Sequence, residues 1–290
     1  MTETVLVSLL AAVCFGVASV LQHDGALRVR RRSPLHPGFF AELSRRPGWL
    51  LGVFAQVTGV ALHLLAVNVG PLSVVQPLLT AGLVIALLLQ RAMGRPVGPS
   101  ALLSAGLVVG GLVLFLSVMP GEQPSWAPDA AAWVPGFALA GAVFLAVLAV
   151  GLSRGGTVRC VCLGAGAGVL MATSAALGKA WGGLLGSEGV VGLLGSWQLW
   201  AALACGAGGT LLSQAAYQAG PLGGSLGAMM AIDPVIGVGL GVVVYGEPFA
   251  SPDTAITRCV GLALTLVGVW LLAAMQRSDQ TAARERRVLL

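Results

Sequence analysis

At 290 residues, 57% hydrophobic and 9% charged, the chain cannot clothe itself in a water-soluble surface, for which about 25% charged residues is usual. The net charge of +5 comes mostly from arginines set in short loops without interleaved aromatics, which argues against a nucleic-acid surface and for membrane orientation signals. Five cysteines, an odd number without a CxxC, read as small apolar packing residues.

Long apolar runs recur along the chain, each near the roughly 20 residues that carry a helix across a bilayer. They predict an all-α integral membrane protein with about nine spans: 4–25, 48–67, 71–91, 100–118, 132–152, 160–184, 197–218, 222–245 and 255–275. The N-terminus, MTETVLVSLL, lacks a basic region before its apolar run and reads as the first span, not a cleaved signal. Between spans 1 and 2, the run RVRRR (28–32) is an orientation signal that can also touch anionic lipid, and the segment 33–47 is a loop or a short interfacial helix. Within span 4, Gly106 and Gly110 form a GxxxG, and Gly164, Gly166 and Gly168 mark span 6, where small residues let helices approach. After Met275 the tail is polar and expected to be partly disordered.

The loops alternate in charge. Arg28, Arg45, Arg91, Arg95, Arg154, Arg159 and the tail arginines fall on one side. Glu3, Glu122, Asp129, Glu188, Glu247 and Asp253 fall on the other. The positive-inside rule then predicts a multi-pass protein of the cytoplasmic membrane, N-terminus outside and C-terminus inside.

An internal repeat is visible. Gly70-Pro71-Leu72 recurs as Gly220-Pro221-Leu222; each follows a span headed by tryptophan and opens another span that ends in a short turn. Spans 1–4 (1–118) therefore match spans 6–9 (159–275), with a linking span and its loops at 119–158 and a cytoplasmic tail at 276–290. The odd offset of five spans inverts the second copy in the membrane. Two inverted-topology four-helix repeats are the architecture of secondary transporters, whose cargo sits between the halves near the midplane.

Few polar side chains lie inside the spans, so each can be weighed. An ionisable residue at mid-bilayer costs about 2.5–3.5 kcal/mol and marks function by default. Asp233, central in span 8, is the first candidate for holding cargo, and the one carboxylate placed to hold a metal ion. Its charge is to be met by a cation, by a proton, or by Lys179 of span 6. Gln76, His63, Asn68, Gln214 and Tyr217 join Asp233 and Lys179 as candidate binding residues; Gln22, His23 and Asp24 lie at the inner end of span 1, and Arg258 reads as an interface anchor. Gln76-Pro77 and Asp233-Pro234 predict helix breaks, since proline removes a backbone donor and frees the carbonyl four residues earlier. No HExxH, GxSxG, P-loop or metal-ligand cluster stands in the sequence, and nothing in it points to an enzyme or a cofactor.

The repeat of short Gly/Ala-rich spans resembles the drug/metabolite transporter superfamily, and within it the NIPA-type magnesium transporters and their bacterial relatives. That family carries a segment GExxNFxAYxxAP followed by a PL pair. Here Gly59–Pro71 reads GVALHLLAVNVGP, followed by Pro77-Leu78, with Val60 in the glutamate position and His63 in that of the asparagine. In the second half Gln214 and Tyr217 match a QxxYLNxAL pattern, and Glu247 matches a glutamate after span 8. The resemblance implies transport of magnesium or another divalent cation. Val60 removes one acidic ligand and leaves the cargo open between a divalent cation and a small organic metabolite or drug. A non-transporting scaffold subunit is the contrasting reading. The expected partners are the lipid bilayer and the cargo, and a homodimer is compatible with the sequence.

Overall fold

The computed structural model of the protein describes residues 2–27, 41–94, 99–118, 128, 130–220 and 222–288. It is an all-α membrane protein. The helices are α1 (Thr2–Leu27), α2 (Pro47–Val69), α3 (Leu72–Leu79), α4 (Ala81–Ala92), α5 (Pro99–Ser117), α6 (Trp133–Ser153), α7 (Gly156–Gly195), α8 (Trp197–Ala219), α9 (Leu222–Tyr245) and α10 (Ala255–Val288). Among the described residues, seven helices are long and apolar enough to cross a membrane, or eight if a bent pair around Ser196 is one span. The apolar part of α10, Ala255–Leu271, is shorter. The run 28–32, most of 33–47, Glu122 and Asp129 lie outside the described residues.

Proline and glycine place the helix ends. Pro47 opens α2 and Pro99 opens α5, positions where a missing N–H costs nothing. Near Pro77 the third span is interrupted only at Thr80, whose N–H and hydroxyl both donate to the Pro77 carbonyl at 3.1 and 2.7 Å, and Leu72–Ala92 remains one span. Pro234 does not break its span, since α9 runs through it as one helix. Gly246, at φ +63°, turns the chain sharply after α9, a left-handed backbone that glycine adopts without strain.

Three expectations are corrected. The stretch between spans 6 and 7 is helical: α7 continues past Trp181 to Gly195, with a break at Gly189 (φ +67°), and residues Gly183–Gly195 meet α8 at 67°. Leu185, Val190, Val191 and Leu194 are exposed there, the pattern of an apolar segment meeting lipid. The polar tail continues α10 as helix to Val288, because Ala, Arg, Glu and Gln are good helix formers. Finally, Gly106 and Gly110 meet nothing within 4 Å; it is Gly111 that approaches Thr265 and Gly261 of α10. The contact face of α5 is one residue round from the motif, shared with Ser104 and Val108 against Gly268.

Glycines allow the other close crossings. Gly16 on α1 meets the backbone of Gly82 on α4, while Gly164 and Gly168 on α7 meet Ser225 and Met229 on α9. The packing partners fall into matching sets. The pair α1–α2 corresponds to α7–α8, and α1 with α3 and α4 corresponds to α7 with α9; α5 packs on α10 and α3 on α9. At one end of the bundle Thr4 of α1 donates to the Val69 carbonyl of α2. At the other, Gln22 donates to the Gly52 carbonyl at 3.3 Å.

Candidate functional site

A cavity of about 540 Å³ lies among α1, α2, α7, α8 and α9. Its wall on α2 includes Trp49, Val53, Gln56, Val60 and His63; its wall on α8 includes Ala202, Gly206, Thr210, Ser213, Gln214 and Tyr217. Both sets recur at three- and four-residue intervals, so each is one helix face. Phe15, Ser19 and Gln22 close it from α1, Met171, Ser174 and Trp181 from α7, and Met229, Met230 and Asp233 from α9. The wall is largely aliphatic, aromatic and thioether, with a few polar groups.

Asp233 is 7% exposed and faces this cavity. Lys179 does not pair with it, which corrects one of the three ways of meeting its charge. The ammonium of Lys179, on a side chain 1% exposed, lies 2.6 Å from the Glu247 carboxylate instead. The reason is the turn at Gly246: the Glu247 N–H bonds back to the Gly241 carbonyl at 3.0 Å, which folds the side chain under the end of α9. Its carboxylate then accepts the N–H groups of Leu72 at 2.8 Å and Ser73 at 2.7 Å, the first turn of α3. A helix N-terminus is a ready site for an anion. Gly241 leaves the room that this carboxylate fills. Lys179 also donates to the Gly70 carbonyl at 3.3 Å and lies over the Tyr245 ring at 5.0 Å, and the Tyr245 hydroxyl donates to the Ala176 carbonyl.

Of the remaining sequence candidates, His63, Gln214 and Tyr217 line the cavity with Asp233. His63 meets Phe15 edge-on at 6.0 Å, and its Nε2 has no hydrogen-bond partner. Gln214 donates to the Gln22 amide oxygen at 2.5 Å, a bond from α8 to α1. Tyr217 meets His23 edge-on at 5.9 Å. Gln76 is away from the cavity wall: it is fully buried, its amide atoms have no hydrogen-bond partner among the described residues, and its side chain rests on Gly237, one turn beyond Asp233. Asn68 donates to the Leu64 carbonyl at 2.7 Å and also stands outside the cavity wall. Arg258 is no interface anchor: it is 0% exposed, between Phe115 at 4.4 Å and Phe249 at 5.2 Å. Cation–π contact explains the placing of a guanidinium between two rings.

The sequence reading missed the ion pair and most of the wall. Glu247 entered it only as an outer-loop charge and as a match to a family position. The signal for the pair is a lone Lys toward the outer end of one span and a Glu just past the same end of another. The signal for the wall is the helical spacing of Gln56, Val60 and His63 on α2, with Gln214 and Tyr217 on α8.

Among the described residues, no group of three or more His, Cys, Asp or Glu stands together to hold a metal ion. An uncharacterized protein of Corynebacterium glutamicum is 28% identical to the chain over 290 residues, spanning 97% of this chain and 98% of that protein. No family model matches the chain, and no solved structure matches it.

Proposed function

We propose that the chain is a secondary transporter of the cytoplasmic membrane, related to the drug/metabolite transporters, that works by alternating access. Spans 1–4 and 6–9 are its two inverted halves, rocking about the cavity between them. The matching packing sets support this: α1–α2 with α7–α8, and α5–α10 and α3–α9 where the halves meet. The observation that carries the reading is Asp233, a nine-tenths-buried carboxylate without a hydrogen-bond or ion-pair partner among the described residues, facing a cavity whose walls come from both halves. A carboxylate buried without a partner is costly, and a cargo cation or an exchanged proton supplies the missing partner in turn.

The cavity favours a small organic solute over magnesium. Magnesium keeps several waters and is held by one or two carboxylates with further oxygens, whereas this wall offers Asp233 among mostly apolar groups. A pocket lined by apolar side chains with a few convergent polar groups suits an organic molecule. The Arg distribution supports an outside N-terminus and an inside C-terminus.

The test is a substrate screen in proteoliposomes that includes magnesium, followed by Asp233→Asn on the substrate found. The amide keeps the shape and removes the charge, so transport is lost while expression and folding persist. Transport by Asp233→Asn at the wild-type rate would overturn the assignment. Failure of every solute and ion in the screen, with span polar residues replaceable at no cost to growth, would favour a scaffold subunit.

A further inference from the structure

We infer that the cavity opens sideways into the lipid between α2 and α8, and that its cargo is an amphipathic organic cation that arrives from the bilayer and sets its charge on Asp233. This rests on the transporter reading of the same cavity.

The exposed part of the wall is at mid-helix. Val57 of α2 is 62% exposed and Leu203 of α8 is 50% exposed, with Val60 and Ala207 exposed beside them. Val57 and Ala207 stand about ten residues from the starts of their helices (Pro47 and Trp197). At 1.5 Å per residue that is ~15 Å along the axis, half of a hydrocarbon core ~30 Å thick. Side chains exposed at that depth meet acyl chains, not water.

The packing leaves a slit there. Helix α2 is held by α1 and α7, and α8 by α7, α1 and α9; the two flank the cavity without packing extensively on each other. Small Gly206 and Ala207 keep the α8 lip low. At the far wall lies Asp233, without a partner among the described residues.

An anion reached through an apolar slit selects two properties together. The cargo must dissolve among acyl chains to pass Val57 and Leu203, and it must carry positive charge to be held. A hydrated metal ion or a sugar fails the first requirement, and a neutral lipid the second. The interior suits such a molecule: Met171, Met229 and Met230 are adaptable thioethers, and the Trp49 and Trp181 rings can face a cation.

Two quaternary ammonium probes of equal charge test this on the full-length protein in lipid nanodiscs: tetrapentylammonium, which partitions into the bilayer, and tetramethylammonium, which does not. Wild type is expected to bind the first and to bind the second at least about tenfold more weakly. Asp233→Asn is expected to weaken tetrapentylammonium binding about tenfold or more, and Asp233→Glu, which restores the charge, to recover most of it. Ala207→Trp, which raises the lip of the slit, should slow association and dissociation alike, about tenfold each, and leave their ratio unchanged. Equal affinity for the two probes, or no binding of either, overturns the cargo class. Wild-type association and dissociation rates in both Ala207→Trp and Val57→Trp overturn the lateral route. Either result leaves the transporter reading to be decided by the solute screen, so the two failures are distinguishable.

Discussion

Replacing Glu247 by Gln tests the arrangement at the end of α9 most directly. The carboxylate has three partners within 2.8 Å: the Lys179 ammonium and the first two N–H groups of α3. The amide keeps the size and one acceptor oxygen but removes the charge. Lys179 then remains buried without the carboxylate that balanced its charge, and its bond to the Gly70 carbonyl at 3.3 Å is to a neutral group. Removing one partner of a buried pair costs roughly 3–5 kcal/mol, because the other charge is stranded. In a chain of this size each kcal/mol moves the melting temperature by about 2–4 °C, so a fall of roughly 6–20 °C is expected for purified Glu247→Gln in detergent, followed by tryptophan fluorescence on heating. The pair Lys179→Met with Glu247→Gln removes the stranded charge and should recover at least half of the loss. A single variant melting within 2 °C of wild type, about what 1 kcal/mol produces, would refute the reasoning. So would a double variant as unstable as the single one.

Gly111→Val should lower the yield of folded protein sharply, since a Cβ there would lie 2.5 Å from the Thr265 amide nitrogen, whereas Gly106→Val, which meets open space, should leave the melting temperature unchanged. Gln76→Met should hold or raise stability by about 1 kcal/mol, because it removes a buried amide without partners; a loss of transport at full stability would place Gln76 in the site instead. Cysteine introduced at Ser187, exposed on the segment before Ser196, should react with an impermeant reagent from outside, and at Ser153, beside Arg154, only from inside; the reverse pattern inverts the orientation. Gly189→Ala should cost about 1 kcal/mol through its left-handed backbone alone, read as a shift in melting temperature.

The helices were legible because lipid imposes a length. Every predicted span has a helical counterpart, and the interruption of the third span at Thr80 lies three residues past Pro77. Pro234 carries the same chemistry, yet α9 continues through it; a local rule says that a carbonyl is freed, not whether neighbouring helices will hold the axis straight. The extension of α7 toward Gly195 escaped notice because Glu188 and several glycines look like a turn. Asp233 and Lys179 were both visible as charges in apolar surroundings. The Glu247 partner of Lys179 was not, because pairing depends on how far the chain folds back after Gly246 and on the room left by Gly241. Helical spacing could have marked a face on α2 and on α8, but only the tilt of the helices decides that these two faces enclose a space, and tilt is set by packing that no single span records.

The two ends of the bundle are fastened with unequal strength. At one end Glu247, just past α9, grips the backbone of Leu72 and Ser73 in α3 through a fully buried charge. At the other, Gln214 meets Gln22 through a neutral amide bond. Parting a neutral bond costs about 0.5–1.5 kcal/mol, and each of the two backbone bonds to the charged Glu247 about 1.5–3 kcal/mol. Two such bonds against one leave a difference of at least about 1.5 kcal/mol, which biases an equilibrium by a factor of roughly ten or more. On the transporter reading proposed above, the empty protein rests with the glutamine end ready to open and the glutamate end shut. A cargo that reverses this must favour the other state by at least that margin, so the unequal fastenings set a resting direction before any ligand arrives.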